Sequence, residues 1–165
     1  MSSQVLSAQV VTEPELGAWI RFLRAYAAVT RELSTRLEAQ HGLTLSDFDV
    51  LVQLYYAPEH RLRRVDLART VILTASGITR LLDGLERGGW VTKARCDSDA
   101  RVTYAVLTDD GVAKFEEAQR MHLADVEELF GSRFSAEERS TLAELLGRLP
   151  LAETSPACTS ADESA

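Results

Sequence analysis

The stretch "DARVTYAVLT", residues 99–108, decides the fold of this chain. Its middle, "VTYAVL" at 102–107, is rich in β-branched and aromatic residues, and so is "WVTKAR" at 90–95. The segment between these two runs, "CDSDAR", is short and polar. Two β-forming runs joined by a polar linker predict a β-hairpin. Asp99 and Arg101 stand two residues apart, immediately before the second strand of this hairpin. A charged pair at this position needs an explanation.

The segment immediately before the hairpin, "ASGITRLLDGLERGG" at 75–89, predicts an amphipathic helix that ends at its two glycines. Four apolar residues with i, i+3, i+4, i+7 spacing form one face: Ile78, Leu81, Leu82 and Leu85. The other face is polar: Ser76, Thr79, Arg80, Asp83 and Arg87. A shorter helix, "VDLARTVIL", precedes it, and Thr74 is the predicted cap between the two. Two helices followed by a hairpin predict a winged helix-turn-helix.

Two helices are predicted N-terminal to this unit. A T-x-x-E capping box at 12–15 opens the first, which ends at "HG" with Gly42 as a left-handed cap. The pattern of Ser46 and Asp49 opens the second, and Ala57-Pro58 stops it. These helices carry acidic and apolar residues but no recognisable catalytic pattern.

Two more helices are predicted C-terminal to the hairpin. Thr108 caps a long helix from Asp109 to about Phe130. A capping box at 135–138 opens a final helix that runs to about Leu149. The fold class is therefore mainly α (α+β): a winged helix-turn-helix lobe with a two-stranded wing and flanking helices.

The net charge of −7 argues at first against a nucleic-acid partner, but its distribution reverses that impression. Residues 61–101 contain nine basic and five acidic residues, a net charge of +4, which leaves −11 for the remainder. A basic middle between acidic flanks can steer itself onto a polyanion. A solvated basic face without a partner explains the same numbers equally well.

Other features exclude several classes of protein. No apolar run approaches the ~20 residues of a membrane span, and the N-terminus lacks the basic start of a signal peptide. Cys96 and Cys158 are far apart, and the three histidines have no zinc-ligand spacing, so we expect no disulfide, no metal and no cofactor. We expect a cytoplasmic protein.

The order of these elements, with "DFDVLVQLY", "DLARTVILTASGITRLLDGLERGGWVTK" and "DARVTYAVLT", resembles the multiple-antibiotic-resistance regulator (MarR) family over about residues 14–149. That family has a D-x-R wing followed by a short strand and L-T, which match Asp99, Arg101, Leu107 and Thr108 here. The resemblance implies a homodimeric transcription regulator that binds pseudo-palindromic DNA, in many members under the control of a small phenolic or anionic molecule.

The chain is accordingly divided into five parts. These are a flexible N-terminus (1–12), an N-terminal dimerisation helix (13–42), a winged helix-turn-helix lobe (43–108), C-terminal dimerisation helices (109–149) and a disordered tail (150–165). The terminal helices are predicted dimer elements because they are long and amphipathic and have no chemistry of their own.

The predicted DNA contacts lie on three segments of the lobe. They are Arg63, Arg64, Thr74, Ser76, Thr79, Arg80, Asp99 and Arg101. Arg80 is placed to reach a guanine edge, Ser76 and Thr79 a base or phosphate, and the helix start at Thr74 a phosphate. Arg63 and Arg64 would neutralise phosphates, although a plain solvated loop is as good a reading.

The charged pair of the opening stretch is predicted to be the DNA-reading tip of the wing. Arg101 would enter the minor groove, and Asp99 would orient its guanidinium beforehand. The tip otherwise departs from the family, because Ala100, Val102 and Asp97 stand where extra basic residues are common. A weaker wing and a larger share of affinity from helix 75–87 are expected.

An effector pocket is implied by the resemblance alone, between the dimer helices and the DNA-binding lobe. Its candidate lining is Trp19, Tyr26, Tyr55, Tyr56 and Arg64, each of which could equally be a core or surface residue. Trp90 is predicted to be core. Cys96, at the wing base, has Arg95 and Asp97 as opposing neighbours, and a redox role is not favoured.

Two other functions compete with DNA binding. The net acidity and weakly basic wing tip suit a winged helix that binds protein instead of DNA. An enzyme is disfavoured, because the sequence has no paired carboxylates in a plausible cleft, no Ser-His-Asp set and no Gly-rich phosphate loop. Sequence reasoning favours a repressor over an activator without excluding the latter, and it leaves the effector, the operator and the regulated genes open.

Overall fold

A computed structural model describes residues 14–71, 75–95 and 102–149 of the chain. Six α-helices lie in these ranges: α1 (Pro14–His41), α2 (Leu45–Tyr56), α3 (Arg64–Thr70), α4 (Ala75–Arg87), α5 (Asp109–Leu129) and α6 (Ala136–Leu146). The strands are β1 (Arg61–Arg63), β2 (Val91–Arg95) and β3 (Thr103–Leu107). The predicted flexible N-terminus, with Thr12, and the predicted tail at 150–165 lie outside the described residues.

The hairpin prediction is confirmed, and its sheet has one strand more than predicted. β2 and β3 pair antiparallel, with Val91 opposite Leu107. β1 pairs antiparallel with the other edge of β3, so the order is β1-β3-β2. Sequence reasoning missed β1 because two of its three residues are arginines. The turn before it is not marked by glycine either, since Glu59 and His60 supply the positive φ angles, 54° and 52°.

The start of α2 corrects another prediction. The cap is Thr44, not Ser46: the Thr44 hydroxyl accepts the Asp47 N–H at 3.1 Å, and the Asp47 carboxylate accepts the Thr44 N–H at 2.9 Å. The sequence holds two overlapping boxes, and the earlier one is used because the helix already begins at Leu45. The predicted caps at Thr108, Ser135 and Gly42, the last with φ of 64°, are confirmed.

Thr44→Ala should therefore lower the free energy of unfolding by about 1 kcal/mol, the usual cost of losing an N-cap. Ser46→Ala is the matched control, since Ser46 lies on the exposed surface two residues later, and its effect should stay within about 0.5 kcal/mol. Urea unfolding of the full chain at one protomer concentration measures both. Equal losses, or a larger loss for Ser46→Ala, would restore the cap predicted from sequence.

One hydrophobic core joins the winged lobe to the long helix α5. It contains Leu37, Leu43, Leu51, Leu54, Leu67, Ile78, Leu82, Leu85, Val91 and Phe115, among others. Trp90 is partly buried and packs against it, as predicted. Phe115 and Ala118 of α5 are fully buried in this core, and Phe115 packs against the rings of Phe48 and Tyr55, so α5 joins the lobe mainly through α2.

The long helices α1 and α5 are tied together by Arg36. Its guanidinium donates to Asp125 at 2.8 Å and to both carboxylate oxygens of Glu128, at 2.9 and 3.1 Å. Glu32 accepts a further bond within α1. These bonds raise the pKa of Arg36 and lower that of Glu128, so both groups stay charged near neutral pH.

None of the helices in the described ranges has the length and apolar character of a membrane span.

Candidate DNA-binding surface

The helix α4 turns one face inward and one outward, as its spacing predicts. Ile78, Leu82 and Leu85 are each only 1 % exposed. Thr79 is half-buried and Arg80 is exposed on the opposite side. Burial of the apolar face thus fixes which residues of α4 are available to a partner, and Arg80 is a cation among them.

Arg80 makes no ion pair with any of the described residues, whereas three cations of this lobe, Arg61, Arg69 and Lys93, have acidic partners. Arg61 pairs with Glu59 at 2.7 Å, and Arg69 lies 3.8 Å from Asp66. A guanidinium without a carboxylate partner keeps its full set of donors for a guanine edge or a phosphate.

Arg63 and Arg64 lie at the junction of β1 and α3, where the strand ends and the helix begins. Both are exposed. The pKa of Asp83 on α4 is lowered mainly by the hydrogen bond from Lys93, and the positive charge of Arg64 adds a smaller effect, so the charge of Arg64 is felt at α4. Arg63 therefore lies at the end of a paired strand and Arg64 at the start of a helix, instead of in an open loop.

The two carboxylates on the outer side of α4 are occupied by one lysine of the wing. The Lys93 ammonium donates to Asp83 at 2.6 Å and lies 2.7 Å from a carboxylate oxygen of Glu86. The hydrogen bond from Lys93 lowers the pKa of Asp83, and the bonds to Asp83 and Glu86 raise the pKa of Lys93. Asp83 and Glu86, the two carboxylates of α4, thus pair with Lys93 and not with Arg80.

A joint of hydrogen bonds connects α4, the wing and α5. The Thr108 hydroxyl donates to the carbonyl of Gly89 at 2.7 Å and accepts the N–H of Gly111 at 3.0 Å. The Thr108 N–H donates to the carbonyl of Trp90 at 3.1 Å. The "LT" of the opening stretch therefore has a structural role, with Leu107 buried and Thr108 as the centre of the joint.

The predicted DNA contacts are only partly covered by the structure. Thr79, Arg80, Arg63 and Arg64 lie on α4 and at the β1–α3 junction. Ser76 lies in α4, but its side chain is outside the described residues, as are Thr74, Asp99, Arg101 and Cys96. The roles assigned to all of these residues remain predictions.

The predicted ligand residues form two aromatic groups. Trp19 and Tyr26 stack through Phe22 on α1, at 6.1 and 6.5 Å, and both are largely exposed. Tyr55 and Tyr56 form an edge-to-face pair at 5.1 Å. No ring contact among the described residues joins the two groups, and a shallow cleft of about 470 Å³ lies elsewhere, along α6.

Tyr55 and Tyr56 instead link the lobe to α5. The Tyr55 hydroxyl donates to Glu116 at 3.0 Å, which raises the pKa of Tyr55. The Tyr56 hydroxyl accepts from Gln119 at 3.0 Å. Both tyrosines therefore bridge α2 and α5.

Comparison with known proteins decides the family. The MarR family model matches residues 43–103, which hold α2, β1, the helix-turn-helix and most of the wing. A HTH-type transcriptional regulator of Bacillus cereus is 31 % identical over 132 residues, which are 79 % of this chain and 85 % of that one. The chain belongs to the MarR family. It is a DNA-binding transcription regulator, and the family is not one of enzymes.

Two further relatives of this MarR protein extend the similarity over nearly the whole chain. The regulator MhqR of Bacillus subtilis is 28 % identical over 141 residues, 86 % of this chain and 94 % of that one. The Streptomyces coelicolor regulator Sco3205, solved in complex with DNA, is 27 % identical with a TM-score of 0.77, covering 87 % of this chain and 96 % of the other. The fold class predicted from sequence is confirmed.

Three features of this MarR protein were missed by sequence reasoning. Asp83 was assigned only to the polar face of α4, and Lys93 was counted only as charge. The pairing of Lys93 with Asp83 does have a signal in the sequence. Side chains alternate along a strand, so residues 91, 93 and 95 share one face, and Val91 on that face is buried against the lobe. The strand β1 left no comparable signal, and neither did Gly111, where an added Cβ atom would overlap the carbonyl oxygen of Trp90.

Proposed function

We propose that the protein is a homodimeric repressor that binds a pseudo-palindromic operator in the cytoplasm. The observation that carries the proposal is the outer surface of α4, where Arg80 is unpaired among the described residues while Lys93 holds the carboxylates of Asp83 and Glu86. Repression is the simpler outcome, because occupation of a promoter by protein suffices to block it.

Exposed apolar side chains support the dimer. None of the residues of α6 is buried within the chain. In the N-terminal half of α1 the large apolar side chains are also exposed: Leu16, Trp19, Phe22, Leu23 and Tyr26. Several large apolar side chains exposed side by side on a folded chain mark an interaction surface. A second copy that covers both helices would place two α4 helices on one duplex, about one helical turn apart.

We assign the DNA contacts of the lobe as predicted from its sequence. Arg80, with Ser76 and Thr79, would read base edges, while Arg63, Arg64 and the helix start at Thr74 hold phosphates. The wing would add Arg101, directed by Asp99, in the minor groove.

Control by a small phenolic or anionic effector remains part of the proposal. The bonds from Tyr55 to Glu116 and from Gln119 to Tyr56 support it, because they cross from the lobe to α5. A ligand that competes for these bonds, held between the lobe and the helices with Arg64, Trp19 and Tyr26 as further candidates, would change the angle between α4 and the dimer axis.

The test is an anisotropy titration of the full chain on the inverted repeat found upstream of its own gene. We expect two chains per duplex. The logarithm of the binding constant should fall linearly with the logarithm of the salt concentration. A duplex with one half-site scrambled should bind at least about tenfold more weakly, because a mismatch costs about 1–3 kcal/mol per base pair. Simple phenols and aromatic carboxylates added to the same titration test the effector.

Three results would contradict the proposal. Equal affinity for the intact and scrambled duplexes would remove sequence-specific recognition. One chain per duplex, with a mass of 18.2 kDa in light scattering, would remove the dimer. Salt-independent binding, or none, would favour the alternative of a winged helix that binds protein.

A further inference from the structure

We propose that Lys93 is a positioning residue for DNA binding: it clamps the wing to the recognition helix through Asp83 and Glu86. The inference rests on the proposed function, because it assigns a role within the DNA-reading lobe. It concerns a residue that is not itself required to touch DNA.

The geometry of the clamp is two-pronged. Asp83 and Glu86 are three residues apart, so their side chains are neighbours along one side of α4. The Lys93 ammonium lies 2.6 Å from one carboxylate and 2.7 Å from the other. A single ion pair would leave β2 free to shift along the helix, whereas two anchors define the place of Lys93 along the helix axis.

The strand directs Lys93 toward α4. Side chains alternate along a strand, so residues 91, 93 and 95 of β2 share one face. Val91 on this face is 2 % exposed and packs in the core with Leu82 and Leu85 of α4. Lys93 is the next residue on that face and meets α4 where the core ends. The clamp therefore continues the packing between helix and wing beyond the core.

Fold stability is a poor reason for this arrangement. Asp83 and Glu86 stand near the C-terminal end of α4, where the helix dipole disfavours carboxylates. All three side chains are more than one-third exposed, and exposed ion pairs contribute little to stability. DNA binding supplies a better reason, because the clamp holds the wing at a defined place on the recognition helix.

The benefit of the clamp for DNA binding is preorganisation. Major-groove and minor-groove contacts have a fixed separation on the duplex, and a protein that holds its two reading elements at that separation loses less freedom when it binds. The alternative role for Lys93 is a direct phosphate contact, in which the carboxylates merely compete with DNA for the ammonium.

Removing the carboxylates of Asp83 and Glu86 distinguishes a clamp from a phosphate contact, because the two roles predict opposite changes in operator affinity. If Lys93 contacts phosphate, Asp83→Asn with Glu86→Gln should tighten operator binding, since two negative charges disappear. If Lys93 is a clamp, the double variant should weaken binding by roughly 3- to 30-fold, the range for residues that modulate a site without touching its ligand. Lys93→Met should weaken it similarly, and should add no further loss in the Asp83→Asn, Glu86→Gln background.

The control for the titration is Lys93→Arg, which keeps the cation and should retain most of the affinity. The slope of the salt dependence should stay the same in Lys93→Met, whereas loss of a phosphate contact lowers it by about one per protomer. Tighter binding by the carboxylate double variant overturns the clamp.

A measurement without DNA separates failure of the clamp from failure of the proposed function. The chain has two lysines, Lys93 and Lys114, so Lys93→Met assigns the side-chain NMR signal of Lys93. We expect Lys93 to titrate above the ordinary pKa of lysine in the free protein, and to return to it in the carboxylate double variant. An ordinary pKa in the wild-type chain overturns the clamp, whatever the DNA result. A raised pKa in a protein that binds no inverted repeat keeps the clamp as a contact but overturns both the proposed function and the role of Lys93 in it.

Discussion

Replacing Gly111 by Ala is expected to lower the free energy of unfolding by at least about 2 kcal/mol. Gly111 lies in the first turn of α5, where a Cβ atom would overlap the carbonyl oxygen of Trp90 and approach Leu107 Cδ1 to 2.8 Å. That carbonyl is fixed, because it accepts the N–H of Thr108. Overpacking costs about 1–3 kcal/mol or more, and against backbone it should reach the upper end. The gain in helix propensity, about 1 kcal/mol, does not offset it.

Gly84→Ala is the matched control for this prediction. Gly84 also lies in a helix of the lobe, but a Cβ atom there meets nothing nearer than Arg87 Nη2 at 4.0 Å. It should stabilise the chain by up to about 1 kcal/mol, the opposite sign to Gly111→Ala. Urea unfolding at fixed protomer concentration measures both, since the apparent stability of a dimer depends on concentration. A Gly111→Ala chain as stable as the wild type would show that the wing and α5 are not closely joined.

The order of helices and strands could be predicted from sequence because each element carries a local signal. The apolar spacing of α4 and the β-forming runs of the hairpin determine which side of each element is buried. Thr108 and Ser135 are caps, and their capping hydrogen bonds reach only three residues along the chain. Interactions of this range are visible in a linear sequence.

What could not be predicted depends on contacts between distant segments. β1 is a strand because β3 pairs with it, and its own residues, two arginines around Leu62, have no strand pattern. Lys93 and Asp83 are ten residues apart and meet only after the wing folds back on α4. Gly111 is required because the Trp90 carbonyl approaches it, which no spacing reveals. At Thr44 and Ser46, by contrast, local signals overlapped and the wrong one was chosen.

Arg80→Ala is expected to weaken binding to the preferred operator about tenfold to a hundredfold per half-site. A bidentate contact between an arginine and guanine is worth about 1–3 kcal/mol of discrimination against the wrong base. The dimer would present Arg80 twice, so the loss on a symmetric operator should be the square of the loss at one half-site, roughly 10²- to 10⁴-fold if the sites are independent. Anisotropy titrations at fixed salt on the operator and on duplexes with single base-pair changes measure it.

The pattern of loss distinguishes the possible roles of Arg80. If it reads a base, Arg80→Ala should abolish discrimination at one position per half-site and leave the others unchanged. Arg80→Lys should then fail to restore it, because an ammonium lacks the planar fork of a guanidinium. If every duplex loses affinity equally, and Arg80→Lys recovers it, then Arg80 contacts only phosphate. Discrimination would in that case have to come from Ser76, Thr79 or the wing, and the exposed position of Arg80 on α4 would contribute affinity without specificity.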